Sequence, residues 1–234
     1  MYSQADRLRL LIVGRLKIMK VYFISGLGAD KRVFKNIRLP EGYVAVFVDW
    51  INPGIHESLA DYSRRLSQKI DTSESFALVG LSMGGMIASE ICKYVKPTIT
   101  IIISGIPVSS HFPTHLRWAG LLGIHRLIPA KVLKSASIFR SSFVTVSADD
   151  RVALKQMVNE IDVRFIDWAI GAIVRWRNET FPSSYVHIHG TRDKLLPMRF
   201  TQPTDFIERA GHLMVLNRAK EINLIIQRSL LSLS

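Results

Sequence analysis

Apolar and polar positions along the chain change their period several times, and each change predicts an element. Lys20 to Ser25 is a β-branched and aromatic run stopped by Gly26-Leu27-Gly28, the pattern of a buried strand. Tyr43 to Val48 repeats it and ends at Asp49-Trp50, ahead of the breaker Asn52-Pro53-Gly54. From Ser58 to Ile70 the spacing becomes helical through Leu59, Tyr62, Leu66 and Ile70, with Ser58 placed as the N-cap. Phe76 to Val79 is a third strand that runs into Gly80. Met83 to Val95 has helical periodicity and stops before Pro97. Thr98 to Ser104 is a fourth strand, almost wholly apolar, as expected where both faces of a sheet are covered.

Between Ile106 and Ser184 the pattern is helical, over Thr114–Leu122, Leu127–Ser135, Asp149–Ile161 and Val163–Trp176. Strand character resumes at Tyr185–His189 and again, briefly, at Asp205–Glu208, and Leu213–Leu231 forms a closing helix. Strands alternating with helices predict an α/β fold with a mostly parallel sheet of about six strands and helices on both faces. The expected organisation is a core of residues 19–105 and 184–234, interrupted by a helical lid at 106–183 over the carboxyl edge of the sheet. Residues 1–18 form an N-terminal extension whose structure the pattern leaves open. Its apolar stretch, Leu8 to Leu16, is broken by Arg9 and Arg15, which argues against a cleaved signal peptide. Met19, directly before the first strand, is a candidate natural start.

Composition narrows the function classes. With 48% hydrophobic and 21% charged residues among 234, the chain can bury a full core. The longest apolar stretch, Thr98 to Val108, is about half of the roughly 20 residues that span a bilayer. The net charge of +12 raises the question of nucleic acid. However, part of the excess lies in Arg7, Arg9, Arg15, Lys17 and Lys20, and the remainder is scattered without a basic run or zinc spacing. It reads as a solvated basic surface that mildly favours anionic ligands. The single cysteine, Cys92, excludes an intrachain disulfide and fits a reducing, cytoplasmic setting. It falls mid-helix by pattern, with no base to activate it, and reads as a small buried apolar residue.

The chemistry centres on Gly80-Leu81-Ser82-Met83-Gly84, a Gly-x-Ser-x-Gly sequence between a strand and a helix. A sharp turn there holds the serine in a strained conformation that projects its hydroxyl from the sheet, and the glycines on either side relieve collisions. The helix amino terminus behind Ser82 favours developing negative charge. The competing reading is an ordinary strand–helix turn with an incidental serine.

A serine nucleophile needs a base, and sheets with such an elbow carry serine, acid and histidine in that chain order. Of seven histidines, His212 in Ala210-Gly211-His212 lies after the last strand and before the closing helix. His187 and His189 lie inside a strand and read as structural; His111, His115 and His125 belong to the lid. The acid that orients the base should follow a strand between Ser82 and His212. Asp193, in Gly190-Thr191-Arg192-Asp193, meets that requirement, with a turn aspartate as its competing reading and Asp205 and Glu208 as fallback candidates. Two backbone N–H donors should stabilise the tetrahedral oxyanion, those of Met83 and of Leu27 in the Gly26-Leu27-Gly28 turn. A full Gly-x-Gly-x-x-Gly is absent because position 31 is lysine, so no dinucleotide site is expected, and no other cofactor or metal is expected.

Three segments together resemble the α/β-hydrolase superfamily: Gly-Leu-Ser-Met-Gly-Gly at 80–85, His-Gly-Thr-Arg-Asp-Lys-Leu-Leu-Pro at 189–197 and Gly-His at 211–212. The resemblance covers Met19 to the C-terminus apart from the lid. Two departures stand out. Ser25-Gly26 replaces the usual His-Gly of the oxyanion turn, and the usual first two strands are missing or reduced to residues 1–18. The resemblance implies hydrolysis of an ester, thioester or amide through an acyl-serine, with a largely apolar small-molecule substrate suggested by Trp118, Phe139, Phe143, Phe165, Trp168 and Trp176 in the lid. It leaves open a lyase, a cofactor-free perhydrolase or a non-catalytic small-molecule receptor on the same scaffold.

Overall fold

The computed structural model describes residues 18–121 and 147–233. Six strands, β1 (Met19–Ile24), β2 (Tyr43–Phe47), β3 (Phe76–Leu81), β4 (Ile99–Ile103), β5 (Tyr185–Gly190) and β6 (Asp205–Ile207), form one parallel sheet in the order β2-β1-β3-β4-β5-β6. The central pairings set Phe23 beside Val79 and Val79 beside Ile101, so like residues stack across strands. Period-2 alternation then feeds two cores, one on each face. Val21, Phe23, Ala77, Val79, Ile101 and Ile188 point to one face. Tyr22, Ile24, Phe76 and Leu78 point to the other.

The first core is covered by α4 (Ala148–Glu160), α6 (Met214–Asn217) and α7 (Ala219–Leu231), through Leu154, Met157, Met214, Ile222 and Ile226. The second is covered by α1 (Leu59–Ser67), α2 (Met83–Ile91) and α5 (Val163–Arg175), through Leu59, Tyr62, Leu66, Ile87, Ile91 and Ala169. Helix starts follow their local sequence. Ser58 Oγ accepts from Asp61 N at 3.0 Å, Ser147 Oγ from Asp150 N at 3.1 Å, and Asp162 from Arg164 N at 2.8 Å. The segment inserted between β4 and β5 contributes α3 (Thr114–Leu121), α4 and α5. The expected helix Leu127–Ser135, with His125, Phe139 and Phe143, lies outside the described residues.

Two helices differ from the pattern-based expectation. The one after Ser82 ends at Ile91, so Cys92 is its C-cap and is only half-buried, with Sγ 3.1 Å from Thr100 Oγ1. The closing helix is broken at Arg218, whose N–H bonds Met214 O while its guanidinium meets Glu221 at 2.6 Å and starts α7. No helix among the described residues is long and apolar enough to cross a membrane.

The strand order reverses between β1 and β3, where folds of this kind open a crevice beyond the carboxyl ends of their strands. That point places the turn after β1 directly beside the turn after β3.

Candidate active site

Ser82 occupies the turn between β3 and α2 with φ 53° and ψ −116°, a conformation that costs a non-glycine residue about 1–3 kcal/mol. Its surroundings impose it. The Ser82 N–H is held by Ile103 O at 2.9 Å, and its carbonyl accepts from Gly85 N at 2.9 Å. A Cβ on Gly80 would stand 2.3 Å from the Gly84 carbonyl oxygen, and one on Gly84 would stand 2.2 Å from Ile24 O. The helix can therefore approach the sheet this closely only with glycine at both positions.

His212 lies in the loop between β6 and α6 and is 2% exposed. Its Nε2 is 2.9 Å from Ser82 Oγ, and its Nδ1 is 2.7 Å from Asp193 Oδ2. The carboxylate can only accept, so Nδ1 carries the proton and Nε2 is free to accept from the serine hydroxyl. Asp193 sits in the loop after β5, where its other oxygen accepts from Leu195 N and Leu196 N, both at 2.9 Å. Burial pushes its carboxyl up, but His212 and the Leu196 N–H more than offset this and hold it below the ordinary range, hence ionised. The two loops are also fixed to each other. Arg192 N donates to Ala210 O at 2.9 Å, and a Cβ on Gly190 would collide with that same carbonyl.

The turn after β1 closes with Ala29 N donating to Gly26 O at 3.0 Å and Gly28 at φ 83°. A Cβ on Gly26 would lie 3.2 Å from the Ser82 Cβ, so this turn borders the serine. Among the described residues, neither the Leu27 N–H nor the Met83 N–H has a hydrogen-bond acceptor. Both donors expected for an oxyanion are thus uncommitted beside Ser82.

The sequence profile of the alpha/beta hydrolase family matches residues 21–223. The chain belongs to the alpha/beta hydrolase family. By sequence, no match was found among curated proteins. Solved alpha/beta hydrolase-like structures agree in fold. MenH from S. aureus superposes with a TM-score of 0.72 at 15% identity, over 93% of this chain and 95% of that one. A thermophilic esterase from Thermogutta terrifontis superposes with a TM-score of 0.68 at 16% identity, over 92% of this chain and 90% of that one.

Within this alpha/beta hydrolase, the remaining candidates fall elsewhere. Asp205 is taken up by Arg228 at 2.6 Å and Thr204 at 3.0 Å, and the Glu208 carboxylate meets Thr191 at 3.5 Å. His111 pairs with Thr201 at 3.0 Å, and His115 packs near Phe200. Phe165 and Trp168 cluster with Trp50 and Tyr62, Trp176 donates to Glu90 at 2.6 Å, and Trp118 is exposed. No group of three or more His, Cys, Asp or Glu side chains among the described residues is placed to hold a metal ion.

Sequence reasoning missed two features. Where alpha/beta hydrolases usually carry His-Gly, Ser25 Oγ donates to Ala29 O at 2.9 Å, and Trp50 Nε1 donates to the same oxygen at 3.1 Å. A serine thus clamps the turn across its ends. The second feature is His189, whose Nε2 donates to Leu196 O at 2.7 Å, inside the loop that carries Asp193. The available signal was two histidines at i and i+2, which share one face of a strand.

Proposed function

We propose that the chain is a serine hydrolase that cleaves a small ester, thioester or amide through an acyl-serine, most readily a carboxylic ester. The observation that carries this reading is the continuous chain of contacts from Ser82 Oγ through the His212 ring to Asp193, at 2.9 and 2.7 Å. As Oγ attacks the carbonyl carbon, His212 Nε2 takes the hydroxyl proton, and Asp193 stabilises the imidazolium that forms. The tetrahedral oxyanion is received by the N–H groups of Leu27 and Met83. Collapse expels the leaving group with the proton from His212. Water, activated by the same nitrogen, then attacks the acyl-serine and returns the acid product and free Ser82. These steps use only side chains, backbone and water.

Esterases stand among the structural neighbours, and a carboxylic ester is the substrate class this reading adopts. The segment 106–183 acts as a lid in this reading. The aromatic and aliphatic composition of that segment favours a substrate with an apolar acyl or alcohol part, while Phe165 and Ala169 on α5 pack into the core on the second face of the sheet. A single half-buried cysteine supports a reducing, cytoplasmic setting. The test is a panel of p-nitrophenyl esters of graded acyl length. Wild type should hydrolyse the short members and Ser82→Ala should not; equal rates for both would refute the reading.

A further inference from the structure

His187 and His189 are fully buried neighbours on one face of β5. In a core, such histidines usually do no more than fill space and satisfy each other. Here the His189 ring is bonded into the loop that carries Asp193. A carbonyl can only accept, so the 2.7 Å contact from His189 Nε2 to Leu196 O places a proton on Nε2. Burial pushes the His189 ring below its ordinary pKa, which keeps it neutral, so its Nδ1 is an acceptor. The 3.1 Å contact with His187 Nε2 is then a donation from His187, which holds the His189 ring from its other side.

The Leu196 residue that receives this bond also donates its own N–H to Asp193 Oδ1 at 2.9 Å. Leu196 is therefore held on both sides, by the strand through its carbonyl and by the acid through its amide. His189 Nε2 lies 3.5 Å from Asp193 Oδ2, too far for a hydrogen bond, and that oxygen is the one paired with His212 at 2.7 Å. Without a donor at 189, the Leu196 carbonyl would lose this partner, and the loop would gain freedom where Asp193 must stay aligned.

We propose that His189 is a positioning residue that holds Asp193 in line with His212 through Leu196, with His187 fixing the ring of His189. The proposal rests on the Ser82–His212–Asp193 reading. It predicts a loss in kcat rather than in substrate binding, because what His189 controls is the alignment of the acid.

The test is a set of purified full-length variants assayed on p-nitrophenyl acetate: His189→Phe, His189→Gln, Asp193→Asn and the double variant His189→Phe/Asp193→Asn. His189→Phe should lower kcat by about 10- to 100-fold with KM little changed, the scale of a small misalignment at a catalytic group. His189→Gln, whose amide N–H can reach the same carbonyl, should recover most of it. The double variant should be no slower than Asp193→Asn alone, because His189 acts only through the acid. Wild-type kcat in His189→Phe, or a further multiplied loss in the double variant, would overturn the proposal. Full activity in Asp193→Asn would instead sink the triad reading beneath it. If His189→Phe fails to fold, the same cycle with His187→Phe decides. A kcat loss that vanishes in the Asp193→Asn background supports the proposal, and an unchanged kcat overturns it.

Discussion

Ser25 shows how a single residue can keep a geometry while changing its chemistry. In the proposed mechanism the turn after β1 holds the Leu27 N–H at a fixed place beside Ser82, and a histidine is usual at its entrance. Here a hydroxyl of one-carbon reach does the work by bonding Ala29 O, aided by the indole of Trp50. Both donors converge on one buried carbonyl, so removing the nearer one leaves the turn half-held. Ser25→Ala should therefore lower kcat for ester hydrolysis by about 10-fold, short of the roughly 10²- to 10³-fold cost of losing an oxyanion donor outright. Steady-state kinetics would check this, and wild-type kcat would show that Trp50 alone suffices. Ser82, in contrast, is strained by its surroundings, with Gly80 and Gly84 leaving no room for side chains.

At the scale of elements, the strands are legible in the sequence because burial on both faces writes itself as unbroken apolar runs, as in Ile99–Ile103. Gly-x-Ser-x-Gly is legible for a related reason, since two chain segments that touch must do so through glycine. Chain order brings Asp193 and His212 within reach as candidates, although 130 residues separate His212 from Ser82. The break at Arg218 is not legible: no glycine or proline marks it, and it depends on Glu221 and on packing of Met214 and Val215. Nor is the Ser25 clamp, because its second donor, Trp50, arrives from the loop after β2. The role of β5 is only half legible. His187 and His189 are visibly on one face, but Leu196 folds back onto that face only in three dimensions.

For the whole molecule, the buried histidines set how stability responds to pH. Burial, reinforced by neighbouring His189, pushes His187 down to about 3. In the unfolded chain it titrates at about 6.5. Between those values the unfolded state binds one more proton than the folded state, so stability falls as pH drops through that window, by about 1.4 kcal/mol per pH unit from this group. A second loss follows below the ordinary carboxylate range. There the acids held ionised in the fold must be protonated, among them Asp150, whose burial is more than offset by Lys35 and Ser147. Urea unfolding at pH 7 and pH 5 should give a lower midpoint at pH 5, with His187→Leu showing a clearly smaller difference between the two. An equal difference in the variant would place the acid sensitivity elsewhere.

The central claim is that Ser82 is the nucleophile activated by His212. Incubation with a fluorophosphonate probe followed by peptide mass spectrometry tests it most directly. The expected result is one adduct, on Ser82, formed rapidly in wild type, absent in Ser82→Ala and slowed by several orders of magnitude in His212→Ala. A wild-type protein left unlabelled, or labelled at another residue while Ser82 stays free, would contradict it.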